Sequence, residues 1–164
     1  MFKRILVPVD GSPTSLLGLR QAIKLSRLEG ARMRLVNVVD ELPMMANEEM
    51  GGMVDNIPMM LEGAKKLLAQ AAAVARKAGI EAETSMIESM SASTAELVAG
   101  EARKWRADVI VLGTHGRSGL ERVFMGSSAE EILRATPVPV LLVRARDDSE
   151  KPARKPAAKR KALR

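Results

Sequence analysis

A chain of 164 residues suits a single domain, and its lack of cysteine excludes disulfides and thiolate metal sites. No apolar run reaches the ~18 residues of a membrane span and the first run is too short for a signal peptide, so we expect a soluble, cytoplasmic protein without a transmembrane segment. Seven of the 26 Lys and Arg residues lie in the acid-free stretch 151–164, which leaves 19 bases against 20 acids in residues 1–150. Any binding to an anionic polymer is therefore expected at the tail and not at the nearly neutral domain.

The first elements along the chain are a strand, a helix and a second strand. Residues 2–9, FKRILVPV, are apolar and β-branched, as in a strand buried on both faces. Ser12 is placed to cap a helix with Pro13 at its first position, and Gly30 ends that helix. Residues 32–40, RMRLVNVVD, predict the second strand.

Two amphipathic helices flank the third strand, which is predicted over residues 80–88. Residues 57–78 predict a long helix because apolar side chains alternate at steps of four and three. The predicted buried face of this helix is Met60, Ala64, Leu67, Ala71, Val74 and Ala78. The same spacing predicts a third helix with the face Ala95, Val98, Ala102 and Trp105. Trp105, the only tryptophan, is interpreted as a packing anchor, since one Trp and two Phe build no base-stacking platform.

The last third of the chain predicts a strand at DVIVLG, a helix over 127–135 that Pro137 ends, and a fifth strand at VPVLLVR. Five strands alternating with four helices predict an α/β fold: a single doubly wound domain, residues 1–146, whose five-stranded parallel sheet carries helices on both faces. Ligands of such sheets bind beyond the carboxyl ends of the strands, where the strand order reverses. With the order 3-2-1-4-5, the loops after the first and fourth strands are neighbours at that point.

The loop after the fourth strand, GTHGRSGLERVFMGSS, is rich in glycine. Its spacing excludes a Walker A loop and a Gly-x-Gly-x-x-Gly dinucleotide loop. Gly113, Gly116 and Gly126 instead leave main-chain amides open ahead of a helix that begins near Ser127, which suits a phosphate site. The alternative is a turn with positive φ at Gly113 and Gly116, followed by an ordinary helix cap.

Two sequence matches to capping boxes argue against a phosphate site at this helix. Each would occupy the helix amides and bring a carboxylate near a bound phosphate. The two pairs are Ser127 with Glu130 and Ser128 with Glu131. Compensating charge could come from a divalent metal, or from Arg117 and Arg122 within the loop.

The glycine spacing, with PVDGS ending the first strand, VNVVD in the second and VPVLLV in the last, resembles the universal stress protein family over residues 1–145. The resemblance implies the strand order 3-2-1-4-5, ATP binding in members that keep the glycine motif, and homodimers joined through the fifth strand, here Val138 to Arg144. It also implies that Asp10 lies at the nucleoside end of the site and that the Val38 backbone meets adenine. The PP-loop signature of architectural relatives is missing from VDGSPTS.

The nucleotide site predicted in this way comprises Pro8, Val9, Asp10, Val38, Gly113, Thr114, His115, Gly116, Arg117, Gly126, Ser127 and Ser128. The expected ligand is ATP, with Mg²⁺ or Mn²⁺ left open as a companion ion.

The sequence offers no clear catalytic group. His115 is the only histidine, and no carboxylate lies near it in the sequence to orient it as a general base. Ser127 and Ser128 have no identifiable base either. We therefore expect a nucleotide-dependent stress-response regulator that is at most a slow ATPase. The alternatives are a dedicated ATPase and a nucleic-acid-associated protein that uses the domain as a dimerisation scaffold.

Three further features concern partners. Methionines crowd residues 44–60, and without His or Cys beside them they favour a mobile lid or partner contact over a thioether metal site. Pro139 predicts that the fifth strand lies at a sheet edge, where VLLVR can pair with a second copy. Residues 147–164 are predicted to be a disordered basic tail, and 151–164 could contact nucleic acid, polyphosphate or an anionic surface.

Overall fold

The structure, a computed structural model, describes residues 1–40, 57–89, 92–114 and 127–144. The elements in these ranges are β1 (Arg4–Pro8), α1 (Pro13–Glu29), β2 (Arg32–Asp40), α2 (Ile57–Lys77), β3 (Ala82–Ser89), α3 (Thr94–Trp105), β4 (Val109–Thr114), α4 (Ser127–Ala135) and β5 (Val140–Arg144). All strand pairs are parallel and the sheet order is β3-β2-β1-β4-β5. The predicted α/β fold and strand order are confirmed.

Each face of the sheet is covered by two helices. On one face, Leu19 of α1 and Leu68 of α2 belong to the same buried cluster as Ile5 of β1. On the other face, Val98 of α3 packs in a second cluster with Leu6 of β1, to which α4 also contributes. Ile5 and Leu6 are neighbours in sequence, and successive strand side chains point to opposite faces. A central strand covered on both faces therefore has to be apolar where it is buried, as β1 is from Ile5 to Val7.

Local signals in the sequence fix both ends of α1. The Ser12 hydroxyl accepts a hydrogen bond from the Ser15 amide at 3.0 Å, and Pro13 opens the helix. Gly30 ends it in the left-handed conformation, with φ 60°. Both expectations for this helix are confirmed, because a cap depends on residues within one turn and not on distant contacts.

The buried face of α2 is rotated from the predicted one. Ala64 and Ala71 are buried as expected, together with the unpredicted Leu68 and Ala75, while Val74 is 39% exposed. Since a helix turns about 100° per residue, Val74 points about 90° away from the centre of the observed stripe. The alanine-rich sequence allows several apolar stripes, and packing against the sheet selects one of them.

An ionic cluster joins β2, β3 and α3 at the end of the sheet where β2 begins. The Arg34 guanidinium donates to Glu101 Oε1 at 2.7 Å and also pairs with Glu83. It lies 4.9 Å from the centre of the Trp105 ring, which is 7% exposed. Hydrogen bonds from Arg34 and then Arg32 outweigh burial and hold the pKa of Glu83 below its ordinary value. The packing role predicted for Trp105 is confirmed by this burial.

No helix in the part of the chain that the structure describes is long and apolar enough to cross a membrane.

Candidate functional site

A cavity of about 380 Å³ opens beyond the carboxyl ends of β1, β2 and β4. This is where the strand order reverses, since β1 continues to β2 on one side and borders β4 on the other. Six of the predicted site residues line the cavity: Pro8, Val9, Asp10, Val38, Gly113 and Ser128. The structure therefore brings residues from four separate segments of the chain to one place.

Both sides of the cavity combine apolar and polar side chains. On the side of β2 and α3, the valines of the lining lie beside Asn37 and Thr94. Towards β4 and α4, Leu112 and Ile132 lie beside the hydroxyl residue Ser128. The lining therefore offers both an apolar surface and hydrogen-bonding groups to a ligand.

Three helices begin at the cavity: α1 and α4 follow β1 and β4, and α3, which follows β3, also begins there. Thr14, Thr94 and Ser128, all in the first turn of their helices, line it. The first turn of a helix carries a partial positive charge, which favours an anionic group nearby. At α1 and α3, the Ser15 and Glu96 amides already donate to the Ser12 and Ser93 hydroxyls, so the helix dipole rather than those amides acts there.

The capping boxes that argued against this site do not fit the observed start of α4. The helix begins at Ser127, so both serines lie within the helix rather than ahead of it. Neither Ser127 with Glu130 nor Ser128 with Glu131 then has the capping spacing. Glu130 instead accepts a hydrogen bond from Arg134 Nη2 at 2.8 Å, one turn further along the helix.

Asp10 is held in place by the start of α1. Its Oδ1 accepts a hydrogen bond from the Ser12 amide at 2.8 Å. Burial alone would raise the pKa of Asp10, but hydrogen bonds from Ser12 and Ser15 outweigh it and hold the pKa below its ordinary value. The carboxylate therefore stays ionised at neutral pH and can accept hydrogen bonds from ligand hydroxyls.

Gly113 is a glycine because α1 packs directly against it. A Cβ built on Gly113 would lie 1.7 Å from the Thr14 carbonyl oxygen, and one built on Gly18 would lie 2.8 Å from the Gly113 nitrogen. The described glycines with positive φ are Gly11, Gly30 and Gly79, so the alternative explanation of Gly113, a turn with positive φ, is wrong. Close contact between helix and strand backbone, rather than turn geometry, excludes a side chain there.

Several predicted features lie elsewhere. Thr114 is 5% exposed, donates to the Val143 carbonyl at 3.4 Å and is not among the residues that line the cavity. Ser127 opens α4, but its side chain is outside the described part of the structure. Also outside the described residues are His115, Gly116, Arg117, Arg122, Gly126, most of the methionine-rich segment 44–60 and the tail 147–164.

Five polar residues of the lining were not predicted as site residues: Ser12, Thr14, Ser15, Asn37 and Thr94. Asn37 is 8% exposed and interrupts the apolar pattern of VNVVD, which was a signal in the sequence. Thr94 follows Ser93, whose hydroxyl accepts from the Glu96 amide at 3.2 Å in a capping box. That capping box could have placed the start of α3 at the carboxyl end of the third strand.

The described residues do not by themselves form a metal site. No group of three or more His, Cys, Asp or Glu residues suited to hold a metal occurs in ranges 1–40, 57–89, 92–114 and 127–144. Asp10 is the one charged residue among those that line the cavity there. Mg²⁺ commonly binds through one or two carboxylates and the phosphates of a substrate, so Asp10 fits a role beside a ligand-borne ion rather than a site of its own.

The sheet and the cavity at its strand-order reversal define a doubly wound α/β protein with a candidate ligand site. The sequence matches the universal stress protein family over residues 1–144, and the chain belongs to that family. Universal stress protein MJ0531 of Methanocaldococcus jannaschii is 31% identical over 144 residues, which cover 88% of this chain and 83% of that protein.

Solved structures agree with this assignment. A universal stress family protein from Burkholderia pseudomallei is 29% identical, with a TM-score of 0.69 over 87% of this chain and 96% of that one. The universal stress protein from Archaeoglobus fulgidus in complex with dAMP is 24% identical, with a TM-score of 0.63 over 86% of this chain and 97% of that one. At 24% identity, the similarity to the A. fulgidus protein shows a shared fold and no more.

Proposed function

We propose that this protein binds an adenine nucleotide, ATP, in the cavity beyond β1, β2 and β4. The observation that carries the proposal is the convergence of three helix N-termini on a cavity that Val36, Val38 and Val98 also line. The base lies on the β2 side near Val38, and the phosphates lie near Ser128 at the start of α4. Membership of the family and the dAMP complex of the A. fulgidus relative support an adenine nucleotide.

The direct test of this polarity is a charge change at Ser128, which is exposed at the first turn of α4. Ser128→Asp adds a carboxylate where the phosphates lie, and Ser128→Asn is a neutral control of similar size. Two unit charges 4 Å apart repel by about 1 kcal/mol in water and about 4 kcal/mol at an effective dielectric of 20. Ser128→Asp should therefore weaken ATP binding at least about fivefold relative to Ser128→Asn, as measured by calorimetry with Mg²⁺.

Adenosine provides the control, because it has no phosphate and should bind both variants equally. An acid near a helix N-terminus stabilises the helix, so the loss is not expected to come from unfolding. Equal ATP affinity of the two variants would contradict the placement of the phosphates. No heat from the unaltered protein at millimolar ATP would contradict nucleotide binding itself.

The role that follows is a nucleotide-dependent signal rather than fast turnover. Asp10 is the ionisable group at the cavity in the described ranges, and a carboxylate with a lowered pKa is a weak general base. Typical enzymes turn over about 10 times per second. ATP hydrolysis by the pure protein well above about one per second would favour the dedicated ATPase instead.

A homodimer through β5 is part of the proposal. β5 is an edge strand, and two of its own residues, Leu141 and Leu142, are 37% and 36% exposed. The opposite edge strand, β3, carries Glu83 in ion pairs with Arg32 and Arg34. Charged edges resist further strand pairing and apolar edges invite it, so β5 is the edge that suits a second copy.

A second candidate function rests on the seven basic residues of 151–164. Such a tail binds nucleic acid or polyphosphate by counterion release, without sequence preference. Deleting 147–164 should abolish salt-sensitive DNA retention and leave ATP binding intact, whereas Gly126→Val should do the reverse. The cytoplasmic location stays a prediction of the sequence.

A further inference from the structure

Val9, the first residue after β1 ends at Pro8, is still hydrogen-bonded to β2. The Val9 amide donates to the Val36 carbonyl at 2.8 Å. The Val9 carbonyl accepts from Nδ2 of Asn37, a side chain, at 2.7 Å. The peptide groups on both sides of Val9 are thus held by two consecutive residues of β2, one through its backbone and one through its side chain.

The register shows what the Asn37 side chain replaces. Pro8 lies opposite Val36, so Val9 lies opposite Asn37. In a parallel ladder, a residue donates to the residue before its opposite number and accepts from the residue after it. The Val9 carbonyl would therefore accept from the Val38 amide. Among the backbone hydrogen bonds of the described residues that bond is missing, and the Asn37 side chain takes its place.

The Val38 amide consequently points to the side of β1 without a partner from β1. Alternate residues of β2 face β1, as the Val9 bond to Val36 shows, and Val38 is the next such residue. Beyond Pro8 that side is the cavity, which Val38 lines. An open amide at this point can donate to an acceptor on a ligand.

We propose that Asn37 is a positioning residue: by occupying the Val9 carbonyl, it keeps the Val38 amide available for an acceptor nitrogen on the purine ring. The proposal rests on the proposed function for the identity of the ligand, but not for the role of Asn37 in the free protein. This role also explains why the Asn37 side chain is buried in an apolar strand, because a buried polar group is costly unless it is hydrogen-bonded. The Asn37 side chain donates to the Val9 carbonyl, and the backbone amide of Val38, which is left open, donates to the ligand.

Hydrogen exchange in the protein without ligand tests the role directly. Asn37→Leu keeps the approximate size and removes the donor, so the Val9 carbonyl becomes free to accept from Val38. The Val38 amide should then exchange at least about tenfold more slowly than in the unaltered protein, with Val36 as the internal control. A residue that only supports the fold would give the opposite result, with faster exchange at both amides. Unchanged or faster exchange at Val38 overturns the proposal.

Asn37→Asp provides a second test through pH. A carboxylate cannot donate to the Val9 carbonyl, whereas a protonated carboxyl can. Adenosine affinity should fall about tenfold at high pH, the range expected for one hydrogen bond, and should recover as the introduced carboxyl is protonated. Asn37→Leu should stay weak at every pH, and the unaltered protein gives the baseline for all other titrating groups, Asp10 included.

The two tests separate the two claims. If the unaltered protein binds no adenosine, the proposed function fails, and the exchange of the Val38 amide still decides the role of Asn37. If the unaltered protein binds and Asn37→Asp binds equally well at all pH values, the role of Asn37 is refuted while nucleotide binding stands.

Discussion

Gly18 and Gly63 allow the same substitution in two helices with opposite expected effects on stability. A Cβ at Gly18 in α1 would lie 2.8 Å from the Gly113 nitrogen and 3.3 Å from the Leu112 carbonyl carbon. A Cβ at Gly63 in α2 would meet no atom within 4 Å. Both residues are helical, so replacing either by alanine gains the same helix propensity, about 1 kcal/mol.

The steric cost at Gly18 falls on backbone atoms of β4, which have no rotamer to change. Overpacking of this kind costs about 1–3 kcal/mol. Gly63→Ala should therefore stabilise the protein by up to about 1 kcal/mol, and Gly18→Ala should be less stable than Gly63→Ala by about 1–3 kcal/mol. For a domain of this size, the difference corresponds to about 2–12 °C in Tm.

The single, buried Trp105 is a probe for urea unfolding of both variants. Equal m-values would show that the change lies in stability and not in the extent of unfolding. If Gly18→Ala proved as stabilising as Gly63→Ala, the contact between α1 and β4 would not be the reason for a glycine at position 18, and the matching explanation of Gly113 would fail with it.

Further predictions concern the ionic cluster, the edge strand and the core. Because the folded pKa of Glu83 is lowered, its contribution to stability is full above its ordinary pKa of 4.5 and is lost as pH falls through the folded value. The stability difference between the unaltered protein and Glu83→Gln should accordingly shrink as pH falls from about 6 to about 3 in urea titrations. Leu142→Lys should convert the proposed homodimer to a monomer, as measured by light scattering. The control Leu28→Lys, at an 82% exposed residue of α1, should leave the dimer intact. A dimer that survives Leu142→Lys would contradict the β5 interface. Trp105→Ala should cost about 3–5 kcal/mol of unfolding free energy, and a loss below about 1 kcal/mol would mean that the ring under Arg34 is not a packing anchor.

Elements set by local chemistry were predicted closely. β2 has the predicted bounds, Arg32–Asp40, and α1 begins after Ser12 and ends before Gly30. In each case the signal lies within a few residues of the boundary: an apolar run for the strand, a hydroxyl cap and a glycine for the helix. The gathering of Asp10, Val38, Gly113 and Ser128 at one cavity was likewise predictable, because parallel strands bring their carboxyl ends to one edge.

Contacts between distant segments were not predictable in this way. The reason for Gly113 is an approach by Thr14, 99 positions earlier in the sequence, and the pattern around Gly113 suggested a turn instead. Asn37 is recognisable as an exception in an apolar strand, but its partner is the carbonyl of Val9 across the sheet. The stripe of α2 that faces the sheet was ambiguous because alanines occur on several of its faces.

The sequence by itself determined the α/β class, both ends of α1 and the strand ends that supply the cavity, since each of these follows from periodicity, composition or a motif of a few neighbouring residues. Tertiary structure alone decided which backbone groups bond to each other, which bond to a side chain instead, and which are left without a backbone partner. The Val38 amide is the clearest case, because its availability depends on the register between β1 and β2 and on the bond from Asn37 to Val9. Hydrogen-bond partners across a sheet are set by register and distance, and neither is written in any single stretch of the chain.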